Sequence, residues 1–172
     1  MTTLLKKICI GCIVLLLSIP CSGKTVQAML SYASFWSPAS KSYLETYLAV
    51  AGNSISFVKN ASGKYQGTIE ITMIFKQKNV VMDYKKLNLL SPEIDDSLKA
   101  DFNFIDQQRF VLAPGVYDFE ISIIDLNKKE AKFTTNDKIS IFFSDSKVNL
   151  SGTELIESFK PTSETNILSK ST

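Results

Sequence analysis

The pair Ser144 and Lys147, in Ser144-Asp145-Ser146-Lys147, has the spacing that comes closest to an active-site pattern. In penicillin-recognising acyl enzymes a Ser-x-x-Lys pair lies on one helical turn, which brings the lysine amine beside the serine hydroxyl. Here the four residues follow a strand-like run, they have the composition of a turn, and a Lys-Thr-Gly partner motif is absent from the sequence. We therefore predict a solvated connection and not a nucleophile.

Carboxylates cluster at Glu93, Asp95 and Asp96, with Asp101 a few residues further on. Calcium takes six to eight oxygen ligands from such groups in flexible loops, which makes this segment the candidate for a metal ion. The spacing matches no EF-hand, and acidic loops between strands are usually solvated. We predict no metal site here. The scattered acidic residues also give no reason to expect the opposed carboxyl pair of a glycosidase.

Histidine is absent from the sequence, and the three cysteines, Cys9, Cys12 and Cys21, all lie in its first 21 residues. Without an imidazole there is no Ser/His/Asp or Cys/His catalysis, and no histidine-ligated zinc or haem. Without a thiol in the remainder of the chain there is no disulfide or thiolate chemistry there. We predict that the protein is not an enzyme and uses no cofactor.

Aromatic side chains are concentrated between residues 32 and 47, where Trp36, Tyr43 and Tyr47 are the candidate contacts for a partner protein or a glycan. Tyr43 and Tyr47 alternate onto the face opposite an apolar stripe. Exposed aromatics of this kind can stack on sugars or anchor a partner, because they bury a large area and carry a polar group. The alternative is that cross-strand aromatic pairs simply stabilise the sheet.

The beginning of the chain has the pattern of a secretory signal peptide. Lys6 and Lys7 form a basic segment, and residues 8–19 form an apolar run that Pro20 ends. The run is too short to span a bilayer as a helix. We predict a signal peptide over residues 1–28 that is cleaved after Ala28; Cys21-Ser22-Gly23 places small residues equally well. Lipid anchoring through Cys21 is less favoured, because a lipobox has a small residue where Pro20 stands.

Removal of this leader changes the charge of the protein. It leaves 16 basic residues against 17 acidic ones, so the formal net charge falls from +2 to about −1. Arg109 is the only arginine and no basic run is present. The clustered positive charge that phosphate backbones require is therefore absent. We predict a periplasmic or secreted protein that binds no nucleic acid and is not an integral membrane protein after cleavage.

From Met29 onward the hydrophobic period is close to two, with turn signals about every ten to fifteen residues, as in a sandwich or barrel. We predict an all-β fold over residues 29–159, an immunoglobulin-like antiparallel β-sandwich of about 7–9 strands. Its last clear strand is predicted at 139–143, with a further strand or two over 148–159. Residues 160–172 are a polar tail that we expect to be disordered.

The sharpest local signal surrounds Pro114-Gly115. Proline presets one turn residue and glycine permits a positive φ at the next, so the pair predicts a type II turn. Tyr117, Phe119 and the alternate residues after them would then share one face. A tyrosine at the start of a late strand resembles the tyrosine corner of immunoglobulin-like sandwiches, in which the hydroxyl ties the turn to nearby backbone.

Three motifs carry a resemblance to a known family: Phe35-Trp36-Ser37-Pro38, Tyr43-x-Glu45-x-Tyr47 and Leu112-x-Pro114-Gly115-x-Tyr117-x-Phe119. They resemble the N-terminal region of secreted Bacteroidetes proteins known for a Gly-Trp-x-Thr-Asp (GWxTD) motif. That motif itself is missing from this sequence. The resemblance implies an envelope or secreted setting and supplies no functional site.

Taken together, the sequence favours an exported, non-enzymatic β-sandwich that serves as an interaction or scaffolding module of the bacterial cell envelope. Its partner would be an envelope protein, bound through an edge strand or through the aromatic face. The alternative is a carbohydrate-binding module that uses the exposed aromatics.

Overall fold

The computed structural model describes residues 25–37, 41–129, 131–144, 148–153 and 160–163. These residues form strands joined by short connections, with 3-10 turns at Gly52–Ser54 and Ser97–Lys99. No helix among them is long and apolar enough to cross a membrane. The strands are β1 (Ala28–Ser37), β2 (Lys41–Ala51), β3 (Phe57–Lys59), β4 (Tyr65–Gln77), β5 (Val80–Leu90), β6 (Asn103–Val111), β7 (Gly115–Asp125) and β8 (Lys132–Ile141).

The strands are arranged in two antiparallel sheets. One sheet has the order β1-β2-β6; the other has β5-β4-β7-β8, with β3 paired to the start of β4. This arrangement confirms the predicted immunoglobulin-like β-sandwich. The last strand begins earlier than predicted, at Lys132, because residues 134–138 are polar and exposed on both faces and show no alternation. Residues 148–153 form no strand, and the rest of the predicted 148–159 segment lies outside the described residues.

The core lies between the two sheets and follows from the period-two patterns. Phe75 on β4 is fully buried and packs against Phe110 and Phe119, each with a ring centroid 4.6 Å away. Burial of each such side chain contributes roughly 1.5–3 kcal/mol. The core is therefore centred on β4 and β7. Its other large, fully buried side chains are Leu44, Leu48, Ile69, Ile71, Met73, Tyr117, Ile121, Ile123 and Ile139.

The connection into β7 contains the predicted tyrosine corner. The Tyr117 hydroxyl donates a hydrogen bond of 2.8 Å to the carbonyl oxygen of Ala113. The predicted type II turn is wrong, because Gly115 does not have a positive φ and is instead the first residue of β7. A Cβ atom at this position would lie 2.4 Å from Nε2 of Gln77, the end of a flexible side chain that can move aside.

A tight hairpin joins β4 to β5. Lys78 and Asn79, the two residues between the strands, have φ of 48° and 65°. A two-residue loop with both φ values positive is a type I′ turn, whose twist matches that of the flanking strands. The hairpin therefore fixes β5 against β4 along its whole length, with one irregularity in register between Phe75 and Lys76.

The folded domain begins before residue 29. Val26 is 1% exposed and belongs to the hydrophobic core. The Gln27 amide donates to Oγ of Ser54 at 2.9 Å, and the Ala51 amide donates to the Gln27 carbonyl at 3.0 Å. Residues 1–24, the Asp145-Ser146-Lys147 part of the Ser-x-x-Lys segment and residues 164–172 lie outside the described residues.

Candidate functional site

The structure brings together two of the three aromatic residues that the sequence marks as candidate contacts. Tyr43 and Tyr47 lie on the outer face of β2, as alternation predicts. Trp36 does not join them: in the β1–β2 register Phe35 is opposite Tyr43, and Trp36 is opposite the buried Ser42. Since successive side chains of a strand point to opposite faces, Trp36 lies on the other side of the sheet.

The ring of Tyr43 is held by side chains from both neighbouring strands. Phe35 of β1 stacks on it with a centroid distance of 5.4 Å and an interplanar angle of 20°. The guanidinium carbon of Arg109, on β6, lies 4.5 Å from the ring centroid. Aromatic stacking and a cation–π contact both stabilise this arrangement. A sugar ring that stacked on Tyr43 would compete with these neighbours.

Beside Tyr43, the outer face contains a fully buried carboxylate, Glu45. Arg109 donates to its Oε1 through Nε at 3.0 Å and Nη2 at 2.6 Å. The Tyr47 hydroxyl and Nε2 of Gln107 donate to Oε2 at 2.5 Å and 3.0 Å. The hydrogen bond to Glu45 raises the pKa of Arg109 above its ordinary value. These charge-assisted bonds hold the outer face in one arrangement, and loss of Arg109 would leave the buried Glu45 carboxylate without its ion pair.

Trp36 instead belongs to the β1 edge of the sandwich, where Tyr32 lies on the same face of the strand; they are 36% and 38% exposed. The Tyr32 hydroxyl donates to Oδ2 of Asp137 on β8 at 2.9 Å, and burial, then Asp137, raise the pKa of Tyr32. The Trp36 amide donates to Oγ of Ser151 at 3.3 Å, and the Gly152 amide donates to the Ser34 carbonyl at 2.7 Å. The β1 edge is therefore partly covered.

The opposite side of the molecule presents a different edge, the strand β5. It has eleven residues, and among the described residues it pairs with β4 alone. Apolar side chains extend from this edge into solvent. Those at least half exposed are Val80, Val81, Met82, Tyr84 and Leu90.

The backbone of β5 shows which groups point away from the sheet. The Tyr84 amide donates to Oδ1 of its neighbour Asp83 at 2.8 Å, so it faces outward and not toward β4. In an antiparallel ladder, outward-facing and inward-facing residues alternate. The amide and carbonyl groups of Lys86, Asn88 and Leu90 therefore also face outward. We call these groups, with the carbonyl of Tyr84, the β5 outer row; the Tyr84 amide is already bonded to Asp83.

Comparison with known proteins leaves this site to be interpreted from its own geometry. No protein-family model matches the chain, and no curated protein matches it in sequence. Among solved structures, the chain is similar to that of the protein assigned as ApaA from Bordetella pertussis, with a TM-score of 0.34 and 8% identity. The alignment covers 67% of this chain and 93% of that one. A likeness at this level carries no argument about function.

The sequence predicts β5 as a strand, but it does not predict that β5 lies at the edge of its sheet. A strand becomes an edge through the order of strands in its sheet, which depends on pairings between distant residues. The one sequence feature that could have indicated an exposed edge is the apolar run Val80-Val81-Met82, which directly follows a two-residue turn. Such a run on a core strand would be buried; here it is exposed.

The inner side of β5 is tied to β6 across the open side of the sandwich. The Lys85 ammonium lies 3.0 Å from Oε1 of Gln108 and 5.0 Å from the ring centroid of Phe110. Gln108 in turn donates to both oxygens of Asp106, at 2.9 and 3.1 Å. Asp106 is 6% exposed, and its burial raises the pKa of the carboxyl. These contacts hold β5 in place from its inner side.

The acidic segment after β5 has structural roles. Glu93 accepts from Nδ2 of Asn60 at 2.5 Å, and Asp95 lies 3.7 Å from the Lys64 ammonium. Asp96 accepts from the amide of Leu98 at 3.0 Å, which caps the following 3-10 turn. Across the described ranges, no three His, Cys, Asp or Glu side chains are grouped as metal ligands.

Proposed function

We propose that the protein is an exported, non-enzymatic interaction or scaffolding module of the bacterial cell envelope. In this proposal, an extended segment of another envelope protein adds to the sheet beside β5. The β5 outer row, bordered by exposed apolar side chains, is the observation that carries the proposal. Export and the envelope setting rest on the signal-peptide pattern and on the resemblance to secreted GWxTD proteins.

Strand addition is physically available at this edge. Unpaired amide and carbonyl groups of an edge strand form a template for another extended chain, which gains a ladder of hydrogen bonds. Alternate side chains of the added strand would meet Tyr84, Lys86 and Asn88, which gives the contact sequence specificity. Lys86 is anchored on the sheet by an ion pair of 3.0 Å with Glu70. The template is therefore extended, attached along one side and only lightly charged.

Fewer observations support the alternative function, carbohydrate binding. Tyr43 and Tyr47 are engaged by Phe35, Arg109 and Glu45, so stacking on them would compete with existing contacts. Tyr32 and Trp36 favour the alternative more, because they share a face of β1 and are each more than a third exposed. Glycan binding that is lost on substitution of these two residues would support that function.

A photo-crosslinking experiment tests the proposed edge. A photoreactive amino acid replaces Tyr84 on β5 in one version of the exported chain and Thr134 on β8 in a matched version. We expect one envelope protein to be cross-linked from position 84 and not from position 134. Equal capture from both positions, or capture of no protein, would contradict the proposal.

Two substitutions at Asn88 separate strand pairing from side-chain contact. Asn88→Pro removes an outward amide without removing a β4 hydrogen bond, and proline is tolerated on edge strands. Asn88→Ala keeps that amide and is the matched control. We expect Asn88→Pro to weaken capture about tenfold, corresponding to one hydrogen bond of the ladder. Capture that survives Asn88→Pro in a folded protein, as judged by circular dichroism, would exclude strand addition at β5.

A further inference from the structure

The position at which the fold begins bears on how the protein is processed. We infer that its leader is cleaved at the Gly23–Lys24 bond, so that the mature chain begins Lys24-Thr25-Val26. The inference rests on the proposed export, because cleavage requires that the chain reach a leader peptidase. It selects between the two sites that the sequence leaves open.

The burial of Val26 favours the upstream bond. Its side chain is 1% exposed and is part of the same core cluster as Val50 and Ile55. Cleavage after Ala28 would remove this side chain from every mature molecule and leave its place in the core unfilled. By contrast Thr25, one residue earlier, is exposed, so the buried part of the chain starts at Val26.

The backbone contacts of Gln27 also favour the upstream bond. Its amide donates to Oγ of Ser54, and its carbonyl accepts from the amide of Ala51. The Ser54 hydroxyl also donates to the Ala51 carbonyl at 2.7 Å, which closes a small network at the start of β1. Ala28 is already in register with Val50 of β2. A chain that began at Met29 would lack the contacts of Gln27 and Ala28, and the Ala51 amide would lose its partner, while the bond from Ser54 to the Ala51 carbonyl would remain.

Cleavage at the upstream site keeps the whole network. Cys21 and Gly23 are small residues at the third and first positions before the bond, as a leader peptidase requires. Hydrolysis adds one water molecule across the amide: the carboxylate stays on Gly23 with the released leader, and the new amino group is on Lys24. The mature domain then begins two residues before its first buried side chain.

The test uses the full-length chain, with its own leader, expressed in a bacterial host. The exported protein is purified, and its amino terminus is determined by N-terminal sequencing and intact mass. We expect the sequence Lys-Thr-Val-Gln-Ala. Gly23→Leu places a large residue next to the bond and should abolish the amino terminus at Lys24, leaving either precursor or protein cut after Ala28. The matched control, Ala28→Leu, should be cleaved at the same bond as the wild-type protein.

Three other results would contradict the inferred cleavage site. A mature protein that begins at Met29 would overturn the inference while leaving export intact. An acylated amino-terminal Cys21 would overturn the assigned bond, although Val26 would remain in the domain. An uncleaved chain that stays in the cytoplasm would overturn both the inference and the proposed export.

Discussion

The two long edge strands of the five-stranded sheet, β5 and β8, differ in the side chains that they expose. On β8, alternation gives way to a polar run, and the exposed residues include Lys132, Asp137 and Lys138. On β5, the exposed residues are largely apolar. Charged residues on an edge strand are a common means of preventing unwanted pairing. One long edge of this sheet is therefore charged and the other is largely apolar, and the proposed added strand would pair with β5.

The two edge strands also differ in how they are attached to the other sheet. The Asp137 carboxylate on β8 accepts a hydrogen bond from Tyr32, which connects it to the other sheet. On β5 the connection to the other sheet runs through Lys85, whose contacts with Gln108 and Phe110 lie on the inner side. Leu87 and Leu89 also pack against the core. The strand is therefore fixed from within while its outer row remains exposed.

The largest expected effect is on the core that supports both edges. Phe75→Ala removes a fully buried ring that contacts Phe110 and Phe119, and should lower the free energy of unfolding by about 3–5 kcal/mol. Urea unfolding measures this change. Tyr84→Ala, at an exposed position of β5, is the control and should change stability by no more than about 0.5 kcal/mol. A loss for Tyr84→Ala as large as that for Phe75→Ala would show that the Tyr84 side chain is buried in the folded protein.

The contrast between the edges can be reversed by exchange of their side chains. Val81→Lys with Tyr84→Lys gives β5 the charged character of β8 and should weaken partner capture about tenfold or more. Thr134→Val with Asn136→Val makes β8 apolar and should cause concentration-dependent self-association, measured by analytical ultracentrifugation. If the lysine variant binds its partner as the wild-type protein does, the apolar side chains of β5 do not control binding.

A smaller effect concerns the link between β1 and β8. Tyr32→Phe removes the hydrogen bond to Asp137 and should lower the free energy of unfolding by about 0.5–1 kcal/mol. Amide exchange should rise in β8 and remain unchanged in β5, since only β8 loses a contact. Equal changes in both strands would argue against independent anchoring of the two edges.

The smallest expected effect is the pH dependence contributed by Asp106. Burial raises the pKa of the Asp106 carboxyl, so the folded state favours its protonated form. The stability that the protonated carboxyl contributes is therefore lost as the pH rises through the pKa of the folded state. Relative to the wild-type protein, Asp106→Asn should therefore be more stable at pH 7 than at pH 3. Thermal unfolding of both proteins at the two pH values measures the difference. A difference independent of pH would mean that the carboxyl titrates at its ordinary pKa.

The sequence predicted the parts of the fold that depend on residues close together in the chain. The alternation of β2, β4 and β7 and the Tyr117 corner were visible in the sequence. The face of Trp36 was predictable too, since it follows Phe35 directly and the two must point to opposite sides. The Glu45–Arg109 pair and the exposed edge of β5 were not, because both depend on pairings between residues far apart in the chain.

The most direct test of the β5 account is hydrogen exchange of its backbone amides with and without the captured partner. The amides of Lys86 and Asn88 face outward and should exchange rapidly in the free protein, whereas those of Leu87 and Leu89 should be protected in both states by pairing with β4. We expect partner binding to slow exchange at Lys86 and Asn88. Unchanged exchange at these amides in the bound protein would contradict it.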